Sequence, residues 1–299
     1  MNVRPIMPTE RALPQTSNNK PIYLDYMSTT PADARVIDAM LPYLGIEGDF
    51  GNPHSSTHSF GQRAMQAVDA ARAQVAALIH ASSDEIIFTS GATEANNLAL
   101  QGIADFHQRR GKHIISMSTE HKAVLDPLAA LVDRGFDITL LPPQSNGLLD
   151  LTQLENALRE DTICVSIMHA NNEIGVIQDI AKIAKLVKAR GALLHVDAAQ
   201  SVGKIDVDVN VMGVDCLSMS AHKLYGPKGV GALYVRRQPR VRLSPILFGG
   251  GHEQGLRSGT LPTHQIVGFG QACTLALDEM PADAEHARVC RDAFWQGIE

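Results

Sequence analysis

The chain has 299 residues, 44% hydrophobic and 19% charged, enough to bury a large core in one big domain with extras. Its 26 basic and 32 acidic side chains leave a net charge of −6, the wrong sign for coating nucleic acid, and no apolar run reaches the roughly 18 residues that a membrane-spanning helix needs. The four cysteines, Cys164, Cys216, Cys273 and Cys290, are scattered and form no CxxC pair, which argues against a zinc site or disulfide framework and fits a reducing, cytoplasmic setting with no metal centre.

Residues 1–20 are rich in Pro, Asn, Thr and Ser and lack an apolar core, so they are expected to form a disordered tail rather than a secretory signal. Arg4 and Arg11 leave an organelle-targeting reading open, but Glu10 and the missing amphipathic stripe count against it. From about residue 32 onward, strand-length apolar runs alternate with helical patterns, the mark of βαβ units on a mostly parallel sheet. Strands are expected at 85–89 (EIIFT), 113–117 (HIISM), 138–141 (ITLL), 162–168 (TICVSIM), 193–197 (LLHVD), 216–220 and 231–235. Helices are expected at 94–108, near 123–133, at 150–159 and at 180–190. The glycine-dense run 249–260 (GGGHEQGLRSGT) suits a loop passing close to a ligand or another chain at an active-site rim, and two helices, 265–280 and 284–296, follow it.

Open α/β sheets bind ligands beyond the carboxyl ends of their strands, so the polar residues just past each strand are the candidates. After EIIFT, the small-residue turn Ser90-Gly91-Ala92-Thr93-Glu94 opens a helix and offers free N–H groups to a phosphate; a plain helix cap is the alternative. After HIISM stands His121, able to lie over an aromatic ring or carry protons, although a lone histidine usually does neither. After TICVSIM, the amides of Asn171 and Asn172 are candidate donors to a phenolate oxygen, or simple turn formers. Asp197 closes an apolar strand with an acid that needs a cationic partner if it is to stay charged, and a protonated pyridine nitrogen would supply one. Lys223 sits at a strand end before a glycine-proline turn, where a desolvated amine is a Schiff-base nucleophile, and Ser220 and His222 beside it are candidate phosphate contacts. Taken together, these residues describe a pyridoxal phosphate (PLP) site centred on Lys223.

At these residues the sequence strongly resembles the cysteine desulfurases of the housekeeping iron–sulfur-cluster assembly type, within the fold-type I, class V aminotransferase-like PLP enzymes. The resemblance runs through segments 22–26 (IYLDY), 51–55 (GNPHS), 88–94 (FTSGATE), 119–122 (TEHK), 171–175 (NNEIG), 195–204 (HVDAAQSVGK), 220–223 (SAHK) and 257–262 (RSGTLP). It implies an α/β fold: a mostly parallel central sheet with helices on both faces, forming a large PLP-binding domain over 33–277. Residues 21–32 and 278–299 would then belong to a fragment of a smaller α+β domain. By position it implies that Lys223 is the Schiff-base lysine and that His121 stacks on the ring and moves protons. Asp197 would pair with the pyridine nitrogen, and Asn172 and Gln200 would contact the phenolate side. Ala92, Thr93, Ser220 and His222 would bind phosphate, joined by Thr260 from the other subunit of a homodimer.

The implied reaction takes sulfur from L-cysteine, leaving L-alanine and an enzyme persulfide for iron–sulfur scaffold and sulfur-acceptor proteins. The family's nucleophilic cysteine lies in a Ser-Gly-Ser-Ala-Cys loop expected beyond residue 299, as is its substrate-carboxylate arginine. The four cysteines here, two in strands and two in helices, read as buried or incidental. Arg236, Arg237, Arg240 and Arg242 surround a turn that in similar proteins docks acidic partners; a solvated basic turn is the alternative. Met27-Ser28 stands where the family usually has two small residues. The other functions weighed are a non-catalytic PLP-binding homologue or scaffold, and another fold-type I enzyme such as a selenocysteine lyase or aminotransferase.

Overall fold

A computed structural model of the chain describes residues 21–298, so the expected disordered tail at 1–20 lies outside the described residues. The strands are β1 (Ile86–Thr89), β2 (His113–Met117), β3 (Asp137–Leu141), β4 (Thr162–Met168), β5 (Leu193–Asp197), β6 (Cys216–Ser220) and β7 (Gly231–Val235). They form one sheet in the order β1-β7-β6-β5-β4-β2-β3, in which β7 runs against both β1 and β6 and the other pairs are parallel. Two successive reversals make β1 run the same way as β6. The turns after β1, β2, β4, β5 and β6 therefore all open on one edge of the sheet.

Among the described residues eight α-helices surround it: α1 (Ala34–Met40), α2 (Ser59–Leu78), α3 (Ala92–His107), α4 (Lys122–Val132), α5 (Leu151–Ala157), α6 (Ile180–Ala189), α7 (Val209–Met212) and α8 (Thr263–Gln296). Strands β4, β5 and β6 are almost wholly buried because both faces are covered. Alternate strand residues enter two cores. Phe88, Met117, Val196 and Met219 meet α2, α6 and α8 on one face, while Ile87, Ile114, Cys216 and Leu233 meet α3 and α4 on the other. Burying each large side chain contributes about 1.5–3 kcal/mol.

Helix α2, which the sequence pattern did not single out, buries Ala64, Val68, Ala71 and Val75 at helical spacing; so many small residues blunt the contrast between its faces. That smallness has a use, because a Cβ on Gly270 of α8 would stand 2.8 Å from the Cα of Ala71. The two helices expected at 265–280 and 284–296 are instead one continuous helix, α8, with Pro281 inside it. A proline removes one N–H donor but need not end a helix when good helix formers such as Ala284, Glu285 and Ala287 carry on beyond it.

On β5, His195 is fully buried between the hydroxyls of Ser166, 2.8 Å from Nδ1, and Ser218, 3.0 Å from Nε2. Burial lowers its pKa from 6.5 to about 3, so it stays neutral. The stability it contributes is present above 6.5 and is lost as pH falls toward about 3, because only the unfolded chain then takes up the proton. Between pH 7 and 5 the loss should amount to about 2 kcal/mol. Urea denaturation of wild type and His195→Gln at both pH values checks this. The variant's own loss should be smaller by that amount, and an equal loss in both proteins would refute the assignment.

Candidate functional site

The five converging turns enclose a cleft of about 720 Å³. Its lining includes Ala92, Thr93, His121, Asn172, Asp197, Gln200, Ser220, His222 and Lys223, so nine of the ten residues expected for the cofactor meet in one place. Thr260 does not line it; it is exposed at the end of the glycine-rich loop.

The turn after β1 is built for an anion. Gly91 holds φ 148° and caps α3 without a side chain, leaving the N–H groups of the helix's first turn free of a side-chain cap. Facing it, the buried Ser220 Oγ has no hydrogen-bond partner among the described residues, and a Cβ on Gly91 would stand 3.7 Å from it. A buried hydroxyl left without a partner beside an uncapped helix end fits the phosphate of PLP. His222, beside it, bonds Thr29 Oγ1 through Nδ1 at 3.1 Å, and burial, with the charges of Lys223 and Lys228, lowers its pKa.

Asp197 stands at the end of β5, fully buried. Its carboxylate accepts bonds from Asn96 Nδ2 at 2.7 Å and from Ala199 N at 3.0 Å. Burial raises its pKa; those bonds and the charges of His121 and Lys223 only partly offset the rise. This carboxylate has no close cationic partner among the described residues and lines the cleft, which is what a protonated pyridine nitrogen would complete. Lys223 donates from Nζ to the Met27 carbonyl at 2.6 Å. Burial lowers its pKa against the pull of Asp197 and Asp25, enriching the neutral amine that acts as a nucleophile. His121 accepts from Ala123 N through Nδ1 at 3.0 Å, which leaves Nε2 for the cleft. Asn172 is tied by Nδ2 to Glu173 at 2.8 Å.

Several contributors were not singled out from the sequence. Asn96, which holds Asp197, is a fully buried amide within α3's apolar stripe; that misplacement was the available signal. Glu120 is buried against the same carboxylate, with Oε1 accepting from Met168 N at 2.7 Å and Oε2 unpaired. Burial pushes its pKa well up, and the charge of Asp197 adds to this against the bond from Met168 N. Met27 acts through its backbone carbonyl.

The glycine-rich loop is fastened by two ion pairs, and Gln254 Nε2 also donates to the Asp84 carbonyl at 2.8 Å. Glu253, at φ 48°, is buried and takes both Arg72 Nη atoms at 2.7 Å and Phe88 N at 2.7 Å. Arg257 donates to Glu94 from Nε at 2.8 Å, and Glu94 also accepts from Ser90 N at 2.8 Å. Burial pushes the Glu94 carboxyl up, but these partners outweigh it and hold it below the usual range. In the basic turn, Arg236 and Arg237 are engaged internally, with Val214 and Val209 carbonyls and with Asp84 respectively, whereas Arg240 and Arg242 are exposed. None of the four cysteines lines the cleft. Cys164, Cys216 and Cys273 are buried, and desolvation raises their pKa values, to about 12 for Cys164, so they stay thiols; Cys290 is exposed.

Comparison with known proteins agrees with this geometry. Residues 22–295 match the family model of the aminotransferase class-V proteins. The chain is 58% identical over 278 residues to a cysteine desulfurase IscS of Pectobacterium carotovorum, covering 93% of this chain and 69% of that protein. A Vibrio cholerae IscS is 57% identical over 279 residues, with the same coverage. Among solved structures, a NifS-like protein aligns with a TM-score of 0.87 at 40% identity, covering 91% of this chain and 74% of that one. SspA in complex with cysteine aligns with a TM-score of 0.81 at 43% identity, covering 84% and 72%. No helix among the described residues is long and apolar enough to cross a membrane.

Proposed function

Since this chain belongs to the aminotransferase class-V family and, within it, to the cysteine desulfurases, we propose that it holds PLP through Lys223 and uses it to take sulfur from L-cysteine, leaving L-alanine. The carrying observation is that the cleft sets a partly desolvated amine, Lys223, and a buried carboxylate, Asp197, in one cavity beside the uncapped turn at Gly91. When bound, PLP supplies an electron sink that weakens bonds at the substrate's α-carbon. Lys223 would provide the amine that holds the cofactor and a base at the substrate's α-carbon. Asp197 keeps a proton on the ring nitrogen. His121 would move protons through Nε2 beside the ring, and Asn172 and Gln200 would donate to its phenolate oxygen. Ala92, Thr93, Ser220 and His222 grip the phosphate.

The sulfur passes to a thiolate other than the four here, three of which burial keeps protonated. Thr260 serves the phosphate of a second copy in a homodimer. Its exposure, on a loop fastened by Glu253 and Glu94 beside the exposed Phe248, supports this. Exposed Arg240 and Arg242, with Arg237 beside them, offer docking points for acidic sulfur acceptors and iron–sulfur scaffold proteins in the cytoplasm. The large domain runs over 33–277, and the rest of α8 starts a smaller one; the buried residues of α8 all lie between 263 and 273, while Val289, Phe294 and Trp295 are exposed.

Loading the purified chain with PLP and titrating it with L-cysteine tests this reading. The visible absorption band of the bound cofactor should change in a saturable way with L-cysteine and not with D-cysteine. A band indifferent to L-cysteine would refute the proposal.

A further inference from the structure

Beside the groups assigned above, Lys204 stands behind the cleft wall, on the lining residue Gln200. Lys204 is half-buried, seven residues beyond the end of β5, and its Nζ donates to Gln200 Oε1 at 2.9 Å. The amide at the other end of that bond is itself buried, and its Nε2 donates to the Met27 carbonyl at 3.1 Å. The same carbonyl accepts from Lys223 Nζ at 2.6 Å. An ammonium only donates and a backbone carbonyl only accepts, so an amide held between them has one permitted orientation.

We propose that Lys204 is a positioning residue that locks the Gln200 amide, so that its N–H edge, and never its carbonyl oxygen, is turned toward the phenolate oxygen of bound PLP. This rests on the assignment of Gln200 to the phenolate side made above. Burial, aided by the charge of Lys223, lowers the Lys204 pKa to about 8, which still leaves mostly the ammonium at neutral pH, so the lock is set under ordinary conditions. Remove it and only the Met27 carbonyl still selects that orientation, so the turned-over amide, which sets a carbonyl lone pair against the phenolate, gains population. An N–H donor favours the phenolate freed of its proton partner, and a carbonyl disfavours it. The cofactor's covalent link to Lys223 then keeps its proton to higher pH.

The test is a spectrophotometric pH titration of PLP-loaded Lys204→Met, Lys204→Arg, Gln200→Met and the Lys204→Met/Gln200→Met double variant, with Lys204→Gln as a substitute should the Met variant fold poorly. Lys204→Met should raise the pH at which the visible band bleaches by about one unit, a tenfold change in proton affinity, while Lys204→Arg, also donor-only, should stay near wild type. In the Gln200→Met background, Lys204→Met should add only a small residual shift. An undiminished shift in that background would mean that Lys204 acts by its charge alone and would overturn the proposal, as would no shift in Lys204→Met. If Gln200→Met itself leaves the titration unmoved, the assignment of Gln200 falls instead, and the proposal with it.

Discussion

Lys223→Ala is expected to fold and yet to carry no covalently held cofactor. After incubation with PLP, reduction with borohydride and denaturation, the wild-type chain should retain one cofactor mass on the peptide containing Lys223, and the variant none. The L-cysteine-driven change in the cofactor's visible band should slow by at least about a thousandfold, since both the attachment amine and the base are lost. The fold should survive because the Lys223 side chain is only half-buried and its one hydrogen bond, to the Met27 carbonyl, is local to the cleft. Lys204 is the instructive control. It is the other cleft-side amine whose pKa burial lowers, to about 8. Cofactor mass mapped to Lys204 in the wild type would sink the assignment of Lys223. Mass there only in the variant would show how near a second nucleophile stands.

Asp197→Asn should separate function from stability. In the absence of cofactor the folded protein bears an ionisable group whose pKa burial has raised. A carboxyl whose folded pKa lies above its unfolded value of 3.8 weakens the fold at neutral pH, and that cost is relieved as pH falls through the raised value toward 3.8. An asparagine avoids the cost and can keep both hydrogen bonds. Its Oδ1 still accepts from Ala199 N, and Asn96, whose Oδ1 has no partner among the described residues, can turn over to receive the new NH2. The cofactor-free variant should therefore melt a few degrees above wild type. PLP binding should weaken about a hundredfold, near 3 kcal/mol, because the pyridine nitrogen loses its counter-ion. Differential scanning calorimetry without PLP and a PLP titration supply the two readings; unchanged affinity for PLP would contradict the pairing of Asp197 with the ring.

The residues that the sequence made legible share one property: each stands at the end of an apolar strand or just past it, where a polar side chain has no packing reason to be. Asp197, Lys223, His121 and Thr93 were visible for that reason, and the structure brings all four into the cleft. What escaped notice acts from within other elements. Asn96 is hidden in the middle of α3, and Lys204 lies seven residues past its strand. Met27 contributes a backbone carbonyl, which every residue possesses and no sequence pattern advertises. Strand positions were readable from their apolar runs, whereas the reversed direction of β7 was not, since burial on both faces gives the same run either way. The continuity of α8 across Pro281 was misjudged because proline biases a helix toward ending without compelling it.

The Met27 carbonyl carries one more implication. It is where the chain's first described segment meets both Lys223 and Gln200, and that segment is sewn to the lysine turn again by Thr30 N and Oγ1 on the His222 carbonyl, each at 3.0 Å, and by Asp33 N on the Tyr225 carbonyl at 2.9 Å. Since the stitch at position 27 is made by the peptide group, it places no demand on which amino acid stands there. A smaller side chain at position 27 should therefore leave that contact in place.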